Sequence, residues 1–190
     1  MHSIRSLWWR FLWCCRRQRL QLITLVVLDV DGVLTDGGLW HGPHGELIKR
    51  FDVRDGLGIR LLQHAGIEVA FLSGGRGGAT EVRAEQLGIR HCLIGAKDKL
   101  HALASLRQEL RVAPHQIAFV GDDVNDLVLQ GTVGLLVATA DASPLLRRRA
   151  HAVLLRPGGY GAVRELAERL LRVRGHWQQL SHDGWRDCND

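Results

Sequence analysis

Leu25-Val26-Val27-Leu28-Asp29-Val30-Asp31-Gly32-Val33-Leu34-Thr35 decides the fold. Its first four residues are apolar without alternation, as a strand must be when helices cover both of its faces. Two carboxylates, Asp29 and Asp31, come where the strand ends, and Gly32 permits a sharp exit. Acids crowded at a buried strand end repel each other and lose hydration, so their presence calls for a cation or a chemical task.

Outward from this stretch the chain alternates. Gly38–Trp40 and Glu46–Phe51 flank the turn residues His41-Gly42-Pro43-His44-Gly45 and pair as a short hairpin. A helix follows from Asp55 to His64, with Gly66 as its stop. Strands are expected at Glu68–Leu72, Cys92–Ile94, Ile117–Val120, Leu135–Val137 and Ala152–Leu155. Helices are expected at Ala79–Leu87, Asp98–Leu110, Val124–Gln130, Pro144–Arg149 and Ala162–Val173. This order implies an α/β fold: a parallel sheet between two helical layers, a Rossmann-like three-layer sandwich. Ligands of such sheets bind beyond the carboxyl ends of the strands. Asp29, Ser73 and Asp122 each end a predicted strand and so share that edge.

The 190 residues suit one main domain, read as residues 23–174, with an extension at 1–22 and a tail at 175–190. The net charge of +5 is concentrated in the extension and in Arg147-Arg148-Arg149, which reads as solvated surface rather than a nucleic-acid site. The four cysteines, Cys14, Cys15, Cys92 and Cys188, have neither disulfide nor metal-ligand spacing, so a reducing cytoplasmic compartment is expected. Trp8, Trp9 and Trp13 lie between arginines, too interrupted for a membrane span. Such a mixture could rest on an anionic membrane surface, but a plain extension is the simpler reading.

A second acidic strand end, Gly121-Asp122-Asp123-Val124-Asn125-Asp126, makes the sheet edge rich in oxygen ligands. Hard divalent cations prefer such ligands, and magnesium takes one or two carboxylates together with a substrate phosphate. Lys97 and Lys99 both precede or begin a helix near that edge, and spacing alone does not choose between them.

Asp29-Val30-Asp31-Gly32-Val33-Leu34-Thr35-Asp36-Gly37 resembles the first motif of the haloacid dehalogenase superfamily. Ser73 resembles its second motif, Lys99 within Gly95-Ala96-Lys97-Asp98-Lys99 its third, and Gly121–Asp126 its fourth. Phe51-Asp52-Val53-Arg54-Asp55-Gly56, Gly58-Ile59-Arg60 and Gly161–Glu165 are similar to the 3-deoxy-D-manno-octulosonate 8-phosphate phosphatase branch. The resemblance implies a capless, homotetrameric, magnesium-dependent phosphatase of sugar-acid phosphates with a short β-hairpin flap. It implies Asp29 as nucleophile, Asp31 as general acid and base, and Ser73 and Lys99 as phosphoryl holders. Magnesium would be held by Asp29, Asp122 and the backbone carbonyl of Asp31, with Asp123 and Asp126 orienting them. Arg54, Asp55, Gly56, Arg60 and Arg83 are the expected substrate contacts, arginine being suited to a carboxylate.

Two positions depart from the family pattern. A basic residue is expected directly after Ser73-Gly74, where this chain has Gly75 before Arg76, and another after Gly158-Gly159, where it has Tyr160. These departures leave open a related nonulosonate 9-phosphate as substrate. A non-catalytic module, as fused to some sugar cytidylyltransferases, is a third reading, opposed by the intact acids.

Overall fold

The computed structural model describes residues 17–44, 47–75 and 77–183. Six parallel strands form the sheet: β1 (Leu25–Leu28), β4 (Glu68–Ser73), β5 (His91–Ile94), β6 (Ile117–Gly121), β7 (Leu135–Ala138) and β8 (Ala152–Val153). Their order is β5-β4-β1-β6-β7-β8, so the chain leaves β1 first to one side and later to the other. That reversal is where an open α/β sheet leaves a crevice for ligands.

The apolar run in β1 has the expected cause. Val26 and Leu28 face one layer, packing with Ile59, Leu62, Val163, Leu166 and Leu170. Leu25 and Val27 face the other, with Leu103, Leu106, Leu129 and Leu146. Alternate residues of β4 and β6 divide in the same way, placing Phe71 on the first face and Phe119 on the second. Each of these large side chains contributes about 1.5–3 kcal/mol by burial.

Helices α2 (Val53–His64), α3 (Ala79–Gln86) and α6 (Ala162–Val173) serve the first face; α4 (Lys99–Leu110) and α5 (Pro144–Arg149) serve the second. Asp52 caps α2 and Asp98 caps α4 through their side chains, each one residue outside the helix. The hairpin is small: β2 (Trp40–His41) pairs antiparallel with β3 (Leu47–Ile48). Among the described residues, only this hairpin stands between β1 and α2. Val124–Leu129 is a 3-10 helix, not the α-helix expected there, because Asp123 and Asp126 tie its first turn to the preceding loop.

Helices flank residues 23–174 on both sides. A helix α1 (Arg17–Leu22) precedes β1, and its Leu20, 1% exposed, belongs to the first core face. A helix α7 (His176–Asp183) follows α6, with Trp177 beneath the guanidinium groups of Arg164 and Arg172. Trp8, Trp9, Trp13, Cys14, Cys15, Arg76, Trp185 and Cys188 lie outside the described residues. Among those described, no helix is long and apolar enough to cross a membrane.

Candidate active site

The end of β1 lies between the ends of β4 and β6, and the chemistry gathers there. Asp29, 5% exposed, is anchored by its own amide, which donates to Val120 O, and by the Val30 amide, which donates to its Oδ1 at 2.7 Å. Lys99, the first residue of α4, donates to Asp29 Oδ2 at 2.5 Å and to Asp126 Oδ1 at 2.6 Å. Asp126 is fully buried, and its second oxygen accepts the amides of Asp122 and Asp123. Its carboxylate is thus held at both oxygens, with Lys99 on one and the loop after β6 on the other.

Asp29, Asp122 and Asp126 bring oxygens within 4.8 Å of one another. One lysine cannot balance three carboxylates. Burial pushes Asp29 up to about 6, with Asp126 adding to the rise and Lys99 opposing it. Burial also pushes Asp122 up to about 7, aided by the charges of Asp29, Asp126 and Asp123. Burial works against the ammonium of Lys99, but the two carboxylates outweigh it and its pKa rises. The site holds uncompensated negative charge that a divalent cation would relieve.

Two glycines make this crowding feasible. A Cβ on Gly32 would fall 2.1 Å from Asp122 Oδ2, and one on Gly121 would fall 2.2 Å from Asp126 Oδ2. Gly32 also has a positive φ of 78°. Farther along, Gly158 and Gly159 seat the loop before α6 against the loop after Asp31. The Gly159 amide donates to Val33 O at 3.0 Å, and a Cβ on Gly158 would meet Gly32 O at 1.8 Å.

Ser73 ends β4, 2% exposed, with its Oγ accepting the Gly75 amide at 3.1 Å. A Cβ at Gly75 would lie 3.0 Å from Asp31 Oδ2, 3.3 Å from Ser73 Oγ and 3.8 Å from Lys49 Nζ. Asp31, Ser73 and Lys49 therefore surround one small space. Lys49 is the residue that sequence reasoning missed. A lysine in a polar hairpin reads as a solvated side chain, and only the alternation Leu47, Lys49, Phe51 gave a sign that it points inward. Lys97, by contrast, is exposed.

The expected substrate contacts lie near one another on α2 and α3, and each has structural neighbours of its own. Asp55 is 1% exposed, and its oxygens accept the amides of Gly161 at 3.2 Å and Arg164 at 2.8 Å. It caps α6 across the helix pair, because Gly161 has no side chain with which to do so. Gly56 makes room for Arg83, whose Nη2 would be 2.3 Å from a Cβ there. Arg54 is bound to Asp52 and lines a hollow with Arg164 and Glu168. Arg60 donates to Gln86 O beside a different hollow. Arg83 shares a hollow with Lys49, Phe51 and Val82. Asp123 is exposed and caps the 3-10 helix through the Val124 amide, so its part in the site is its charge. Tyr160, where a cation was expected, lies beneath the Arg50 guanidinium at 4.6 Å.

Comparison with known proteins gives consistent results. A model of haloacid dehalogenase-like hydrolases matches residues 48–128. The 3-deoxy-D-manno-octulosonate 8-phosphate phosphatase KdsC of Escherichia coli K12 is 47% identical over 153 residues, 80% of this chain and 81% of that one. The solved Yersinia pestis phosphatase of that name superposes with a TM-score of 0.83 at 44% identity, covering 85% of this chain and 88% of its own. The Moraxella catarrhalis phosphatase, solved with magnesium, phosphate and KDO, gives 0.86 at 32% identity, covering 89% and 97%.

Proposed function

The chain belongs to the haloacid dehalogenase-like hydrolases, within the branch of the 3-deoxy-D-manno-octulosonate 8-phosphate phosphatases, and on that premise we propose that it hydrolyses that sugar-acid phosphate. The observation that carries the reading is the gathering of Asp29, Asp122 and Asp126 at adjoining strand ends, with Lys99 between two of them.

In this reading an Asp29 carboxylate oxygen attacks phosphorus while the bond from phosphorus to the sugar oxygen breaks. Asp31 gives its proton to that departing oxygen. Water then attacks phosphorus in the aspartyl phosphate, giving its proton to Asp31 and freeing phosphate and the Asp29 carboxylate. Ser73 and Lys99 hold the equatorial oxygens as charge redistributes. Asp29, Asp122 and the backbone carbonyl of Asp31 would hold magnesium, the donors being all oxygen and in excess of positive charge. The ion supplies charge neutralisation, allowing an anionic nucleophile to meet an anionic ester.

The protein acts in the cytoplasm as a homotetramer in this reading, and its hairpin supports the assembly. Trp40 and Ile48, which pair across the strands, are 69% and 59% exposed, and Leu39 is 51% exposed. A two-stranded hairpin with apolar residues turned outward gains stability by burying them against copies of itself.

The test is phosphate release from a panel that includes the octulosonate 8-phosphate and a nonulosonate 9-phosphate. The octulosonate ester gives the highest kcat/KM, and Asp29→Asn lowers release on the order of 10³-fold or more. Equal release by the substituted protein rejects the mechanism; preference for the nine-carbon ester rejects the substrate alone.

A further inference from the structure

Lys49 follows β3 in a flap of only two short strands, yet it is 7% exposed. Its ammonium lies 2.7 Å from Asp31 Oδ1 and 2.9 Å from Oδ2, and 3.4 Å from Thr80 Oγ1 in the first turn of α3. Burying an ammonium costs several kcal/mol unless it is well paired, and nothing within so small a hairpin requires that cost. Its partner is the carboxylate two residues beyond Asp29. The acids at the end of β1 are thus divided between two lysines from different elements, Asp29 to Lys99 and Asp31 to Lys49.

That division has a geometric result. The cluster of converging carboxylate oxygens contains Asp29, Asp122 and Asp126 without Asp31. The Asp31 side chain stays 33% exposed, facing the space that Gly75 leaves open. A flexible carboxylate this close to a cation site would otherwise be drawn towards the ion and away from the ester oxygen. Resting on the phosphatase reading, we propose that Lys49 is a positioning residue, holding Asp31 outside the cation site and aimed at the oxygen that leaves. Proton transfer in both half-reactions then depends on Lys49 for its geometry, although Lys49 itself exchanges no proton.

The leaving group separates this task from general support of the site. An alkoxide must be protonated as it departs, whereas p-nitrophenolate departs without help. In single turnovers that follow departure of the alcohol or of p-nitrophenol, and so read the first half-reaction alone, Lys49→Met slows the best alkyl phosphate of the panel by about 10- to 100-fold and p-nitrophenyl phosphate by less than about 3-fold, the first being part of the about 10²- to 10⁴-fold that a placed proton donor contributes. KM stays within about 3-fold for both, since substrate binding is not the task assigned. Lys49→Arg, keeping the charge, recovers most of the alkyl rate. Equal losses on the two esters, no loss on either, or a raised KM with unchanged kcat overturns the proposal. Should Lys49→Met fail to fold, Thr80→Val loosens the same ammonium and produces the same skew at smaller size; its absence overturns the proposal equally. If the folded wild-type protein releases phosphate from neither ester, the phosphatase reading falls and this inference with it. If the wild type is active and the skew is missing, only the inference falls.

Discussion

Asp29 and Asp122 retain protons in the folded protein that the unfolded chain releases near the ordinary value of 3.8, since their folded values are about 6 and about 7. Where the native state binds more protons, stability falls as pH rises. The metal-free protein therefore loses stability between about pH 4 and about pH 7, and magnesium restores it increasingly above about pH 6, as the ion displaces those protons. Melting curves over that range with chelator and with magnesium check this; a magnesium shift of constant size contradicts it. Burial likewise pushes Asp55 up to about 6, so it adds to the same loss as pH rises, but its carboxylate serves α6 and magnesium does not offset its share. Asp55→Ala removes a cap and costs about 1–2 kcal/mol, a drop of about 2–8 °C in a domain of this size. KM for the sugar phosphate stays unchanged, and a large rise in KM would return Asp55 to the substrate contacts. Nothing adjacent to Asp55 in sequence shows this role, since the amides it caps are more than a hundred positions away.

Elements explain which parts of the molecule could be read in advance. β1, β4 and β6 announce themselves because residues buried on both faces leave no polar positions inside the run. Four chemical groups at their ends, Asp29, Ser73, Asp122 and the neighbouring Asp126, were legible for the same reason: each interrupts an apolar strand or follows one closely. Lys99 needed the family spacing to be preferred to Lys97, and its burial then separates the two. What stayed hidden depends on pairs of elements. Lys49 acquires its partner only when the flap folds over the end of β1, and the hollows that part Arg54, Arg60 and Arg83 exist only after α2, α3 and α6 have packed. The loop before α6 illustrates the same dependence. Gly158→Ala inserts a Cβ 1.8 Å from the Gly32 carbonyl, so the loop must lift from the nucleophile's turn. The expected cost is about 1–3 kcal/mol, as for other overpacked sites, with a fall in kcat exceeding that in thermal stability. Wild-type kcat in a folded Gly158→Ala protein contradicts the coupling of these loops.

At the scale of the whole molecule, the open edge of the sheet and the outward-facing hairpin belong to one problem: a site without a cap needs cover from elsewhere. Trp40→Glu places a charge where the exposed indole would be buried between copies, and sedimentation should show smaller species with lower activity at equal protein concentration. Unchanged sedimentation removes the hairpin from the interface. The position of β1 has a further result, felt before the protein is complete. Its two sheet neighbours, β4 and β6, are supplied by residues 68–73 and 117–121. While the ribosome is still adding residues beyond Gly66, Leu25–Leu28 is an apolar strand with both hydrogen-bonding edges unoccupied. An adhesive stretch of the nascent chain is thus made early and satisfied late, so demand for holding chaperones should peak midway through translation and fall once Gly121 has emerged.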